Sequence, residues 1–224
     1  DRDLQCGVQS STVNKVWPNL VHEFPVMLAS KITDVKIEEF PFPAYVQKKR
    51  DGTRVQVVVK NKTATLYTRN GKTIDVLGVF DETFADIRLN GYVFDGEIVA
   101  KKNGKDLDRS TSNGIVNKAI KGKISKEEAE LLHITLWDCI ALNDWREEKS
   151  SVEYCERLLV LIDLLKDTNK ISIEVGQCVY DLDRVQELFD QAIKRGEEGV
   201  MLKDPNGIWE SKRVKTQVKY KGIY

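Results

Sequence analysis

Apolar positions recur along this chain with a period of two in some stretches and of about 3.6 in others, which predicts a mixture of strands and helices. Ala44–Lys48 and Thr53–Lys60 read as strands. The second of these, Thr-Arg-Val-Gln-Val-Val-Val-Lys, is rich in β-branched residues that suit a pleated surface. Thr63–Thr68 alternates and runs into Asn70-Gly71, a hairpin signal. Residues 92–100, 133–140 and 171–180 are further strand-like runs, and a short one opens at Glu198 and ends in Lys203. The proline of Phe24-Pro25-Val26-Met27-Leu28-Ala29-Ser30 makes that stretch extended. Helical spacing appears over 80–89, and over 183–195 with Gly196 as a C-terminal cap. Ser125-Lys126-Glu127-Glu128 is a capping box opening a helix to Leu132. Ser150-Ser151-Val152-Glu153 is expected to cap a long amphipathic helix to about residue 166, with Leu158, Leu159, Leu161, Ile162, Leu164 and Leu165 in the core. Residues 11–20, with Trp17-Pro18, read as the frayed end of a preceding element.

Composition changes this picture little. A chain of 224 residues with 41% hydrophobic and 31% charged side chains can build one medium domain with a real core. Lys+Arg and Asp+Glu are both 35, so a nucleic-acid partner would need local basic patches. The four cysteines, Cys6, Cys139, Cys155 and Cys178, lack metal-ligand spacing and a disulfide framework, which points to a reducing, intracellular setting. Cys139 and Cys178 lie in apolar runs and are expected to be buried thiols. No apolar run approaches the ~18 residues of a membrane span. The opening Asp1-Arg2-Asp3-Leu4 is no signal peptide, and without an initiator Met the chain reads as a piece of a longer protein. His22 and His133 are assigned no catalytic role.

Candidate chemistry concentrates where the first two strands meet, at Gln47-Lys48-Lys49-Arg50-Asp51-Gly52-Thr53-Arg54. The plain reading is a hairpin turn at Asp51-Gly52 with surface charges around it. The chemical reading is a nucleophile. A lysine at a strand end is held rigidly, and Lys48, Arg50 and Arg54 are cations that would favour its free amine. A tight Asp-Gly turn also lets backbone approach a bound phosphate. Elsewhere, Glu97 sits in an apolar strand, where a carboxylate is costly to bury without a partner. From Arg109 to Lys123 there are four cations, no anion and many small polar side chains, a composition suited to phosphate contacts. Lys219 and Lys221 would share one strand face.

Lys49-Arg50-Asp51-Gly52-Thr53-Arg54 resembles the Lys-x-Asp-Gly-x-Arg motif of ATP-dependent ligases and capping enzymes. Four more motifs follow in the family's order: Thr68-Arg69, Asp95-Gly96-Glu97, Glu198-Gly199-Val200-Met201-Leu202-Lys203 and Lys219-Tyr220-Lys221. Pro25-Val26-Met27-Leu28-Ala29 and residues 108–123 are similar to the DNA ligases of T-even-type bacteriophages. The resemblance implies an α+β fold: antiparallel β-sheets flanked by helices, the ligase and capping-enzyme nucleotidyltransferase (ATP-grasp-like) core. It implies that residues 1–28 end a preceding DNA-binding domain, that 29–224 form the nucleotidyltransferase domain, and that a C-terminal OB-fold lies outside the chain.

It also implies roles. Lys49 would be the nucleophile that carries AMP. Gln47 would recognise adenine and Trp137 would stack on it. Arg54, Arg69, Arg213, Lys219 and Lys221 would hold the nucleotide, with Glu97 on the ribose or a metal. Glu97 and Glu198 would bind Mg²⁺, or Mn²⁺ in its place. Arg54, Arg69, Arg109, Lys118 and Lys121 would face DNA. The implied protein is a monomeric, cytoplasmic DNA ligase domain (in the host cytoplasm if phage-encoded), acting on ATP and nicked double-stranded DNA, with no membrane partner. An RNA ligase or capping-type nucleotidyltransferase, or a silent nucleotide- or DNA-binding module, are the alternatives.

Overall fold

The strand-forming runs do form strands, and most of them divide between two large sheets that face each other across a cleft, while two more pair as a separate ribbon. The structure, a computed structural model, describes residues 10–17, 20–21 and 23–221; the expectations for Cys6, Pro18 and His22 lie outside the described residues. In chain order the strands are β1 (Leu28–Lys31), β2 (Ala44–Lys48), β3 (Thr53–Lys60), β4 (Thr63–Thr68), β5 (Tyr92–Lys102), β6 (Lys105–Asp106), β7 (Leu132–Ala141), β8 (Lys149–Glu153), β9 (Ile171–Ile173), β10 (Gln177–Val179), β11 (Gly199–Lys203), β12 (Ile208–Glu210) and β13 (Arg213–Lys221). The helices are α1 (Ser10–Val16), α2 (Arg109–Ile120), α3 (Lys126–Glu130), α4 (Leu142–Arg146), α5 (Tyr154–Leu164) and α6 (Leu182–Lys194).

One sheet has the order β1-β13-β11-β2-β10; the other runs β4-β3-β5-β7-β9, with β6 paired to β5. The pairing is antiparallel except β1 with β13 and β7 with β9. The larger core lies behind the second sheet, where Val55, Val57, Phe94, Ile98 and Ile134 pack with Val116 of α2 and Leu158 and Leu161 of α5. A second cluster packs Val46, Val200, Leu202 and Val218 of the first sheet against Val185 and Ala192 of α6, and a third gathers Met27, Ile140, Trp209 and Val214.

Several local expectations are corrected. Asp51-Gly52 is not a hairpin, because β2 and β3 belong to different sheets and residues 49–52 cross between them. The glycine is required by proximity: a Cβ at position 52 would lie 2.7 Å from the Ile98 carbonyl. Residues 80–89 form turns, with only a 3-10 turn at Ile87–Leu89, where the Asp86 carboxylate takes the Arg88 N–H and starts a separate turn. Ser150–Glu153 does not cap a helix but forms most of β8, pairing with β12, and α5 starts at Tyr154. On α5, Leu158, Leu161 and the following Leu165 face inward, which turns Leu159 out to solvent. Residues 171–180 break into β9 and β10, one in each sheet, around Gly176 at φ +80°. Cys139 is buried as expected, but Cys178 is exposed because β10 is an edge strand whose inward residue is Val179. The capping box at Ser125 is present, although its helix stops at Glu130 and Leu132 already begins β7. None of the helices among the described residues is long and apolar enough to cross a membrane.

Candidate active site

The first sheet supplies the cleft floor through strict alternation. Gln47, Met201 and Lys219 are cross-strand neighbours on β2, β11 and β13, and Lys203 pairs with Gln217 one step along. These side chains share one face. Residues of the opposite alternation pack on α6, as Tyr220 does by stacking on Phe189 with ring centroids 4.4 Å apart. Lys49 continues the Gln47 side just past the end of β2. Its N–H donates to the Gly199 carbonyl at 3.0 Å, which pins the backbone while the side chain reaches into the gap between the sheets.

The second sheet and its helix supply the other wall: Thr53 and Arg54 from β3, Arg69 from the turn after β4, Glu97 from β5, Trp137 from β7 and Lys121 after α2. Trp137 reaches the cleft through a β-bulge. Asp95 pairs with Asp138 and Gly96 with Leu136, so Trp137 is the extra residue, and a bulge re-aims its side chain. The cleft so enclosed has a volume of about 1000 Å³. A second hollow of about 440 Å³ adjoins it, with Lys49 and Glu97 lining both and Glu198 and Arg109 lining the smaller one.

Charges around Lys49 are arranged by pairing. Its ammonium contacts the Glu198 carboxylate, whose other oxygen lies 3.8 Å from Lys221 Nζ. The neighbours expected to crowd Lys49 with positive charge are neutralised instead. Lys48 pairs with Glu197 at 3.0 Å, Arg50 with Glu174, and Arg54 forks onto Asp95 while also donating to the Met27 carbonyl at 3.1 Å. The remaining positive field gathers around Lys219 of β13. Burial lowers the Lys219 ammonium below the usual lysine range, and Arg213, Lys49, Arg69 and Lys221 lower it further. That convergence of cations on a half-buried lysine is a site for polyanionic oxygen.

Glu97 is the acidic counterpart. Burial pushes its carboxyl above the ordinary range against the pull of the Gly52 N–H, 2.7 Å away, and of Arg54 and Lys49, while Glu198 adds repulsion. Among the described residues, no group of three or more His, Cys, Asp or Glu side chains is placed to hold a metal ion by itself. Two carboxylates that repel one another beside an open hollow nonetheless fit a hard, oxygen-seeking divalent cation, which completes its shell with water or phosphate oxygens.

Of the residues singled out by sequence, Gln47, Lys49, Arg54, Arg69, Glu97, Trp137, Lys121 and Lys219 line the larger cleft. Arg213 is set back, donating to the Ala29 carbonyl. Arg109 pairs with Asp51 at 3.1 Å, and Lys118 pairs with Glu128 on the outer side of α2.

Sequence reasoning missed a buried polar cluster beneath the cleft. Asp95 and Asp138 are cross-strand neighbours, each gripped by an arginine, Arg54 and Arg157. Lys203, 2% exposed, stands over the Tyr154 ring at 4.5 Å and the Trp137 ring at 5.6 Å. Burial pushes its ammonium down to about 7, against the attraction of Asp138 and Asp95. The available signal was Lys203 closing an apolar run on the same alternation as Met201.

Comparison with known proteins places the chain in a family and a fold. The family model described as "ATP dependent DNA ligase domain" matches residues 26–221. The DNA ligase of Enterobacteria phage T4 is 31% identical over an alignment covering 99% of this chain and 53% of its own length. DNA ligase 2 of Methanosarcina acetivorans is 27% identical over 80% of this chain and 33% of its own length. The chain thus spans about half the length, or less, of these curated relatives. Among solved structures, an ATP-dependent DNA ligase from bacteriophage T7 in complex with ATP superposes with a TM-score of 0.65 at 21% identity, covering 88% of this chain and 68% of that one. A Chlorella virus DNA ligase–adenylate gives 0.62 at 18% identity, covering 89% and 68%. At these identities the superpositions speak for the fold, which is the expected α+β nucleotidyltransferase type.

Proposed function

The chain belongs to the family of ATP-dependent DNA ligase domains, and from that premise we propose that it binds ATP in the cleft and takes up AMP covalently on Lys49. The observation that carries the reading is the Lys49 amine, held between the sheets against Glu198, with the cations of β13 and Arg69 beside it. The Lys49 ammonium first gives up a proton to solvent, and the amine lone pair then forms an N–P bond to the α-phosphorus of ATP. The P–O bond to pyrophosphate breaks, pyrophosphate leaves, and the nitrogen sheds its proton, giving a lysyl-AMP. AMP then passes to the 5′-phosphate of a nicked duplex, freeing Lys49. The 3′-hydroxyl attacks that activated phosphate, which joins the strands and releases AMP.

Each step is a phosphoryl transfer, so orientation and charge neutralisation dominate. Lys219 and Arg69 hold phosphate oxygens, and Lys221 and Arg213 add positive charge from behind them. Trp137 gives the adenine a stacking surface. Glu97 and Glu198 would hold a divalent cation, Mg²⁺ or Mn²⁺, which when bound neutralises phosphate charge. Arg54 lines the wall with most of its fork committed to Asp95, so it acts on the nucleotide or nick chiefly through position and charge. The DNA backbone lies along Arg69, Lys121, Lys118 and Arg109, the last two exchanging their carboxylate partners for phosphates.

The decisive experiment is intact mass after incubation with ATP and Mg²⁺, with the modified peptide mapped. The expected result is one AMP adduct on Lys49 and none on Lys49→Ala. An adduct of equal yield on the variant overturns the assignment.

A further inference from the structure

Gln47 is almost fully buried in the cleft floor, and its side-chain amide is held at one end only. Its Nε2 donates to the Tyr154 hydroxyl at 2.8 Å and to the Glu174 carbonyl at 2.5 Å. An amide can be built either way round, but here the neighbours decide. A backbone carbonyl cannot donate, so the end facing Glu174 must be the nitrogen.

The Tyr154 hydroxyl holds the same nitrogen from a second side. It has one proton and two lone pairs. The proton goes to the Trp137 carbonyl at 3.0 Å, which can only accept. Lys203 Nζ donates to one lone pair at 3.3 Å, which leaves the other for the Gln47 amide. Turning the amide over would set its oxygen against the Glu174 carbonyl and would draw the tyrosine proton away from Trp137. The loop that supplies Glu174 is itself fitted to Gln47: at Gly176, φ +80°, a Cβ would lie 2.7 Å from Gln47 Cγ. Gln47 Oε1 accepts no hydrogen bond among the described residues.

We infer that Tyr154 is a specificity-determining positioning residue: by locking the Gln47 amide it leaves an acceptor on the cleft side and selects a base with a 6-amino donor over one with a 6-oxo acceptor. This rests on the reading of the cleft as a nucleoside triphosphate site. A 6-amino purine donates to Oε1. A 6-oxo purine sets oxygen against oxygen, and the lock prevents the amide from turning to suit it.

The test is equilibrium titration of the chain with ATP and with inosine triphosphate, which bears the 6-oxo group. Wild type is expected to bind ATP at least about tenfold more tightly, and Tyr154→Phe to narrow that ratio by about three- to tenfold, the worth of one or two oriented hydrogen bonds. A folded Tyr154→Phe chain that keeps the wild-type ratio overturns the proposal. So does one that weakens both nucleotides equally, since that is a merely structural effect. No preference in wild type also overturns it, while the AMP adduct on Lys49 can still stand; loss of the adduct instead sinks the underlying site reading. A second measurement does not depend on the variant folding. In wild type without nucleotide, both Gln47 side-chain amide protons should exchange slowly with solvent by NMR, and fast exchange overturns the lock.

Discussion

Arg157–Asp138 ties α5 to β7 and Lys49–Glu198 ties the end of β2 to the start of β11, yet these two ion pairs are built for opposite ends. The first is almost sealed, with side chains 3% and 1% exposed, and the guanidinium fork meets both carboxylate oxygens at 2.8 and 3.0 Å. Its spare N–H groups go to the carbonyls of Val152 and Gly207. The second is 17% and 20% exposed, opens on two hollows, and shares its carboxylate with Lys221. Arginine presents a rigid planar fork and keeps its charge, so it suits a permanent buried joint. Lysine is a point charge on a flexible stem that can change partner and protonation state, so it suits chemistry. The molecule thus locks its scaffold with arginines and leaves lysines at the cleft exchangeable.

Breaking the sealed pair should produce the largest effect on stability. Asp138→Ala leaves a guanidinium buried without its carboxylate, and a loss of about 3–5 kcal/mol in urea denaturation is expected. A loss below about 1 kcal/mol would show the two pairs to be energetically alike.

The next effect sharpens the contrast within the buried cluster, because Lys203 is a lysine placed among the arginines. Its ammonium is pushed down to about 7 when folded, chiefly by burial, and returns to the usual lysine range when unfolded. Between those values the unfolded chain binds a proton that the folded chain does not, so this group costs stability at low pH and the cost fades as pH rises. Lys203→Met should therefore be most advantaged over wild type below pH ~7. That advantage should shrink by up to about 1.4 kcal/mol per pH unit on going toward pH 9.5. A pH-independent difference would remove Lys203 from the titrating groups.

The smallest expected change in stability comes from opening the exchangeable pair. Glu198→Gln should alter the unfolding free energy from urea denaturation by about 1 kcal/mol or less, the worth of a partly exposed pair. The yield of AMP adduct should nevertheless fall clearly. Equal losses of stability and yield would mean that this pair is scaffold too.

How much of this was legible beforehand depended on whether a feature is local. Strands β2, β3 and β4 stood where their β-branched, alternating residues placed them, and Lys219 and Lys221 were put on one face by period alone. The motif residues were legible as types of chemistry: an amine, two carboxylates and a set of cations. The hairpin at Asp51-Gly52 was misread because a turn signal cannot say whether the strands it joins will pair or part. Ser150 was misread because a capping residue and an edge-strand residue look alike until β12 arrives from 60 residues on. Lys203 and Tyr154 went unassigned because their meaning is which atoms surround them.

Sequence alone therefore determined the inventory and the local order: which runs pleat, which side chains alternate to one face, and which groups can attack, accept or neutralise. Those properties follow from backbone sterics and side-chain chemistry within a few residues. Tertiary structure alone decided the sheet partition, the bulge that turns Trp137 into the cleft, the carboxylate that meets each cation, and the way the Gln47 amide faces. Most of these depend on contacts between residues tens of positions apart or more, where distance and desolvation, rather than residue type, select the outcome.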